Sequence, residues 1–179
     1  MQSPAGREEP VNDPKLRVLF VHGLMSSPGG RKARYLAERF DALTPKMETG
    51  DFPGCLETQR HAIATHKPDV IVGSSFGGAV VVELIRRGEW SGATLLLAQA
   101  ALRVDAAATL PPGLPVLLVH GRADEVVPVE QSRALAASSP AARLIETEDE
   151  HRLVELTRSE RLAELVREAA AMHAAGPAQ

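Results

Sequence analysis

Apolar residues in this chain gather into short unbroken runs rather than alternating with polar ones. Arg17–His22 (RVLFVH), Asp69–Val72 (DVIV), Ala93–Ala98 (ATLLLA) and Pro115–His120 (PVLLVH) are the clearest. Runs this short and this continuous predict strands buried on both faces, as in a parallel sheet covered by helices. Ala142–Glu146 (ARLIE) reads as a fifth, more polar strand, and Thr44–Thr49 as a weak edge strand. Between the runs lie helical patterns. Ser27 offers an N-cap with Pro28 at the first helical position, leading to Ala33, Leu36, Ala37 and Phe40 at helical spacing. Gly77–Arg87 and Val129–Ala137 follow, then a terminal helix introduced by the capping-box pattern Thr157-x-x-Glu160 and carrying Leu162, Leu165, Val166 and Ala169. Strand and helix therefore alternate, which predicts an α/β fold: a three-layer α/β/α sandwich around a mostly parallel, doubly wound sheet of about six strands. One domain is expected over residues 16–173, with flexible tails at 1–15 and 174–179.

Composition narrows the function classes. With 179 residues, a formal net charge of -3 and 44% hydrophobic residues, the chain reads as one ordinary soluble domain. No basic excess asks for nucleic acid, and one Trp, one Tyr and four Phe leave few rings on which bases could stack. The single cysteine, Cys55, cannot pair within the chain, so a reducing compartment is expected. The polar start MQSPAGREEPVNDPK lacks the apolar segment of a secretory signal, and no apolar run approaches the roughly 20 residues that span a bilayer. A cytoplasmic protein with no membrane or nucleic-acid partner is expected; oligomeric state is left open.

Chemistry first appears after the DVIV run, where Gly73-Ser74-Ser75-Phe76-Gly77-Gly78 leads straight into the helix-like AVVVELIRR. This is G-x-S-x-G between a strand and a helix, the setting of a nucleophile elbow: a tight turn lifts the Ser75 hydroxyl above the sheet, and the glycines remove side chains that would collide. The helix start adds free N–H groups and positive dipole beside the hydroxyl. A small-residue turn that merely packs helix on strand is the plainer reading.

The first strand ends in Val21-His22-Gly23-Leu24-Met25-Ser26-Ser27-Pro28. With the elbow, this loop makes the chain resemble the α/β-hydrolase superfamily, and its short His-Gly-x-x-Ser-Ser-Pro form is similar to that of small, capless bacterial YqiA-like esterases. The resemblance implies that the backbone N–H groups of Leu24 and Phe76 form an oxyanion hole, with Met25 and Ser74 as candidate substrate-lining residues. It also implies that His22 braces the loop rather than serving as a base. A serine hydroxyl needs a base and an orienting carboxylate. Gly121-Arg122-Ala123-Asp124-Glu125-Val126-Val127-Pro128 looks like the family's acid loop, which makes Asp124 the acid. His151, after Glu148-Asp149-Glu150, stands where the family keeps its base, so the order is Ser75, Asp124, His151.

Other residues compete. Glu125 and Asp105 are rival acids. His61 and His66 read as surface residues without a metal-ligand pattern, His120 as a structural residue at a buried strand end, and His173 as part of the tail. Cys55 follows Asp51-Phe52-Pro53-Gly54, similar to a turn of the family, and has no base placed for it. Glu148, Asp149 and Glu150, and Arg31, Lys32 and Arg34, read as solvated surface; the alternatives are that the acids stabilise an imidazolium at His151 and that the bases attract an anionic substrate.

The resemblance runs from Val18 to the terminal helix. Two departures stand out. Only a polar tail precedes Lys15, where larger members begin with antiparallel strands, and the segment before Pro115 is too short for a helical cap. An open site favours small or short-acyl esters or thioesters, cleaved through an acyl-enzyme with no metal or organic cofactor. The same triad would serve an amidase or perhydrolase, and a non-catalytic binding protein that has kept the fold is the alternative from another class.

Overall fold

Strand β1 (Arg17–Val21) lies between β2 (Asp41–Leu43) and β3 (Val70–Ser74), parallel to both. β4 (Ala93–Leu97), β5 (Val116–Gly121) and β6 (Ala142–Thr147) extend the sheet, giving the order β2-β1-β3-β4-β5-β6 with every pairing parallel. The computed structural model describes residues 15–176. Helices α1 (Arg31–Arg39), α2 (Phe52–His66), α3 (Phe76–Arg86), α4 (Ala101–Val104), α5 (Val129–Ala137), α6 (Val154–Arg158) and α7 (Arg161–Ala175) connect and follow the strands. The architecture is the three-layer α/β/α sandwich that the alternating pattern predicts.

The unbroken apolar runs are explained by parity. Along each central strand, side chains alternate between two separate cores, and both are apolar. Leu19, Val21, Ile71, Leu96 and Leu118 join α2, α3 and α5 residues on one face. Val18, Phe20, Val70, Val72, Leu95, Leu97, Leu117 and Val119 join α1, α6 and α7 residues on the other. Burying each such side chain stabilises the fold by roughly 1.5–3 kcal/mol, so polar residues at either parity would be selected against.

Several local expectations need correction. The edge strand is Asp41–Leu43, not Thr44–Thr49, because the chain leaves α1 directly into extended backbone at Phe40, whose N–H closes the helix on Leu36 O. Helix α1 begins at Arg31 rather than at Ser27-Pro28: the Ser27-to-Gly30 turn is closed by Gly30 N–H on Ser27 O, and Gly30 is the N-cap. Its buried face holds Ala33, Tyr35 and Leu36, while Ala37 is exposed. The Thr157–Glu160 capping box does not form, since Thr157 lies inside α6 and its hydroxyl donates to Val154 O. Asp51-Phe52-Pro53-Gly54 is not a free turn but the start of α2, with the Asp51 carboxylate accepting Gly54 N–H at 3.1 Å. Helix α7 runs from Arg161 to Ala175 and so takes in His173, which the sequence placed in the tail. Residues 1–14 and 177–179, the bulk of the two expected tails, lie outside the described residues.

Candidate active site

All parallel strands present their C-terminal ends on one edge of the sheet, and loops from those ends carry the candidate residues. Ser75 follows β3 and is the N-cap of α3, with φ 55° and ψ -119°. This strained conformation costs on the order of 1–3 kcal/mol in a residue with a side chain, and the surrounding backbone holds it. Ser75 N–H donates to Leu97 O at 2.9 Å, while Ser75 O accepts from Gly78 N–H at 2.9 Å and Ala100 N–H at 3.1 Å. The turn is possible only because its glycines let backbones touch. A Cβ on Gly77 would overlap the carbonyl of Val21, and one on Gly73 would come within 2.9 Å of Gly78 Cα.

Asp124 and His151 arrive from the ends of β5 and β6. His151 Nε2 is 3.0 Å from Ser75 Oγ, and His151 Nδ1 is 2.7 Å from Asp124 Oδ2. A carboxylate can only accept here, so it fixes the proton on Nδ1 and leaves Nε2 free to take the serine proton. The other carboxylate oxygen, Oδ1, accepts the N–H groups of Val126 at 2.9 Å and Val127 at 2.8 Å. The Asp124 side chain is fully buried, whereas His151 is partly exposed at 20%. The structure thus brings together the three residues that are far apart in sequence.

The loop after β1 closes the site on the other side. A Cβ on Gly23 would stand 3.2 Å from Ser75 Cβ and 3.8 Å from Ser75 Oγ, so the loop after β1 lies against Ser75. His22 is buried and bonded on both ring nitrogens, Nδ1 at 2.9 Å from Gly23 O and Nε2 accepting Met47 N–H at 3.3 Å. It ties this loop to the segment after β2 and has no reach to Ser75 as a base. Phe76 is the first residue of α3, where a helix leaves its N–H groups without internal acceptors. Of the candidate lining residues, Ser74 is buried at the end of β3, while Met25 projects fully into solvent beside half-exposed Leu24.

The rivals fall elsewhere. Asp105 pairs with Arg86 at 2.5 Å and caps Ala107 N–H, and Glu125 is exposed. His61 is exposed, and His66 sits against Asp41 O at 3.1 Å. Cys55 is buried, and that burial, with Asp51 and Glu48 nearby, pushes its thiol up, away from the reactive thiolate. The acidic cluster splits: Glu148 pairs with Arg122, and the Asp149 carboxylate accepts the N–H groups of Glu150 and Glu155 at 2.9 Å each. From the basic cluster, Lys32 Nζ donates to Arg152 O at 2.7 Å and so pins the residue after His151. Burial lowers that ammonium to about 8, against the opposing pull of Asp149.

The sequence marked neither the packing of Gly121 nor the contact that His120, read as structural, makes with Asp124. Gly121 is packed so tightly that a Cβ would overlap the Asp149 carbonyl, which seats the His151 loop on the end of β5. His120 stands directly behind the acid, its Nε2 2.9 Å from Asp124 Oδ2, with neither side chain exposed. The signal for His120 was its position, immediately ahead of the acid loop.

A family model described as an uncharacterised protein family, UPF0227, matches residues 17–90, the segment from β1 through the nucleophile turn and α3. No curated protein matches the chain in sequence. Solved structures do match its fold. A protein from Xanthomonas campestris pv. campestris assigned to the alpha/beta superfamily of hydrolases has a TM-score of 0.72 at 22% identity, over 87% of this chain and 99% of that one. Est1E from Butyrivibrio proteoclasticus has a TM-score of 0.66 at 20% identity, over 90% and 92% of the two chains. An esterase from Exiguobacterium antarcticum has a TM-score of 0.65 at 15% identity, over 87% and 92%. The chain has the α/β-hydrolase fold, and over residues 17–90 it is similar to the UPF0227 family.

Proposed function

We propose that this protein is a serine hydrolase that cleaves small or short-acyl esters or thioesters through a Ser75-His151-Asp124 triad. The observation that carries the reading is the pair of contacts on His151, 3.0 Å to Ser75 Oγ and 2.7 Å to Asp124 Oδ2. Ser75 Oγ attacks the acyl carbonyl as His151 Nε2 takes its proton. The Leu24 and Phe76 N–H groups receive the oxyanion. His151 then protonates the leaving alcohol or thiol, and water repeats the sequence to release the acid and restore Ser75. Asp124 accepts the Nδ1 hydrogen and holds the imidazole in the required tautomer.

The substrate class follows from openness. Between the end of β4 at Leu97 and the start of β5 at Val116 there is only the four-residue α4 and its turns, so among the described residues this segment builds no helical cap over the serine. Leu24, Met25 and Val126, on the loops carrying the candidate oxyanion and acid groups, are exposed at 55%, 99% and 52% and give the rim an apolar character. A rim of this kind contacts a short acyl group without enclosing a long one. The test is steady-state hydrolysis of p-nitrophenyl esters of increasing acyl length by wild type and Ser75→Ala. Turnover of acetate and butyrate esters, lowered in the variant by a factor on the order of 10⁴ to 10⁶ with the fold retained, is expected. Equal turnover by the variant would refute the assignment.

A further inference from the structure

Behind Asp124 runs a second chain of buried polar groups. Ala101 N–H donates to Gln99 Oε1 at 2.7 Å, which fixes the amide so that Gln99 Nε2 donates to Ser132 Oγ at 3.0 Å. Ser132 Oγ is 2.7 Å from His120 Nδ1, and His120 Nε2 is 2.8 Å from Val127 O. Gln99, Ser132 and His120 are all fully buried. The proton positions follow by elimination. Val127 O and Asp124 Oδ2 can only accept, so Nε2 of His120 carries a hydrogen, and in the neutral ring Nδ1 then accepts the one proton of Ser132. Every donor in the chain then points one way, from the Ala101 amide towards the acid loop.

We infer that His120 is a positioning residue for the reaction proposed above: its Nε2–H holds the Val127 carbonyl and presents a positive edge to Asp124 Oδ2, the oxygen that orients His151. Two imidazoles therefore meet at one carboxylate oxygen, His151 at 2.7 Å and His120 at 2.9 Å. The arrangement acts on both halves of the turn. Val126 and Val127 N–H groups hold Oδ1, and His120 holds the carbonyl of Val127, so the Asp124–Val127 loop is locked at both its carboxylate and its far end. Buried polar groups of this sort are costly unless satisfied, and the Gln99–Ser132 relay satisfies the last nitrogen of His120. Asp124 is the charged group that His120 meets. Around His151, the nearby acids are engaged, Glu148 with Arg122 and Asp149 with backbone N–H groups.

The inference rests on the triad reading, and the rate of covalent labelling of Ser75 by a fluorophosphonate separates the two. Labelling is measured against pH on the full chain for wild type, His120→Leu, His120→Gln and Ser132→Ala. His120→Leu removes the donor while leaving the three triad residues unchanged; labelling at neutral pH is expected to slow roughly ten- to a hundredfold, the range by which loss of a residue supporting a site from behind lowers activity. Its acid limb should also move to higher pH, because Asp124, no longer facing a positive edge, stabilises the His151 imidazolium more strongly. His120→Gln, which can keep an N–H towards Val127 O and Asp124, should label close to the wild-type rate with the wild-type limb. Ser132→Ala should fall between them, and it carries the test if His120→Leu does not fold. A role in packing alone would lower the labelled fraction equally at every pH and would not be rescued by Gln. Fast labelling of His120→Leu, or of Ser132→Ala in its place, with an unmoved limb overturns the positioning role and leaves the triad standing. Failure of wild type to label overturns both.

Discussion

Gly121, the last residue of β5, meets the backbone of Asp149 with no room between them for a side chain. The loops carrying Asp124 and His151 are held together at this point, since Arg122 N–H donates to Thr147 O at 2.8 Å and Ala123 N–H to Asp149 O at 3.3 Å. Gly121→Ala must push the His151 loop away from the acid loop. A loss of about 1–3 kcal/mol in unfolding free energy is expected from overpacking. Ester hydrolysis should fall at least tenfold, since an error of about 1 Å at the base is expensive. Denaturant melts and kinetics on the variant check both, and an unaltered variant would mean that the two loops do not pack this closely.

Asp124→Asn keeps the size of the acid while replacing one oxygen by a donor. An amide that donates to His151 Nδ1 forces the proton onto Nε2, where it blocks acceptance from Ser75. A kcat loss on the order of 10⁴-fold, with KM little changed, is expected. Near-wild-type turnover would make Asp124 a bystander.

Lys32 ties α1 to Arg152 O, and its ammonium titrates at about 8, below its ordinary value of 10.5, because it is buried. A lowered lysine means that the unfolded chain binds more protons between those two values, so native stability rises with pH across that window. Relative to Lys32→Met, wild type should therefore gain unfolding free energy from about pH 8 to about pH 10.5. Urea melts at several pH values measure the difference. A wild-type-minus-variant stability that stays flat or falls across the window would contradict the burial of this charge.

The Asp69 carboxylate joins the starts of β1 and β3, accepting Arg17 N–H at 2.8 Å and pairing with the Arg17 guanidinium at 2.8 Å. The guanidinium contact holds Asp69 below the usual carboxylate range. A lowered acid stabilises the fold above its unfolded-state value and ceases to do so as pH falls through the folded one. Both side chains are more than a third exposed, at 43% and 37%, so Asp69→Asn should cost only about 0.5–1 kcal/mol at pH 7. The cost should vanish in strong acid. A constant penalty from pH 7 to pH 2 would point to something other than the charge.

The central strands were legible because a parallel sheet needs apolar residues at both parities, and their shortness and β-branched content set them apart from buried helices. β2 was not, since Asp41-Ala42-Leu43 pairs on one side only and two of its three residues are exposed. Helix α2 hid behind Pro53 and Gly54, which read as a turn although Pro suits the first turn of a helix. Ser75, Asp124 and His151 could be named because each follows a strand end in an order that a familiar fold uses. The supports behind them depend on contacts between distant segments. Gly121 against Asp149 and Lys32 against Arg152 leave no local pattern, since either is an ordinary residue until its partner is in place, and for His120 the sequence marked the buried position but not the partners.

The central claim is that Ser75 is the nucleophile, and the most direct measurement is the site of covalent capture. Intact mass spectrometry after treatment with a fluorophosphonate, followed by peptide mapping, should show one adduct per chain, on Ser75. Ser75→Ala should carry none. An unmodified wild-type chain, or an adduct that persists in Ser75→Ala, would contradict the account.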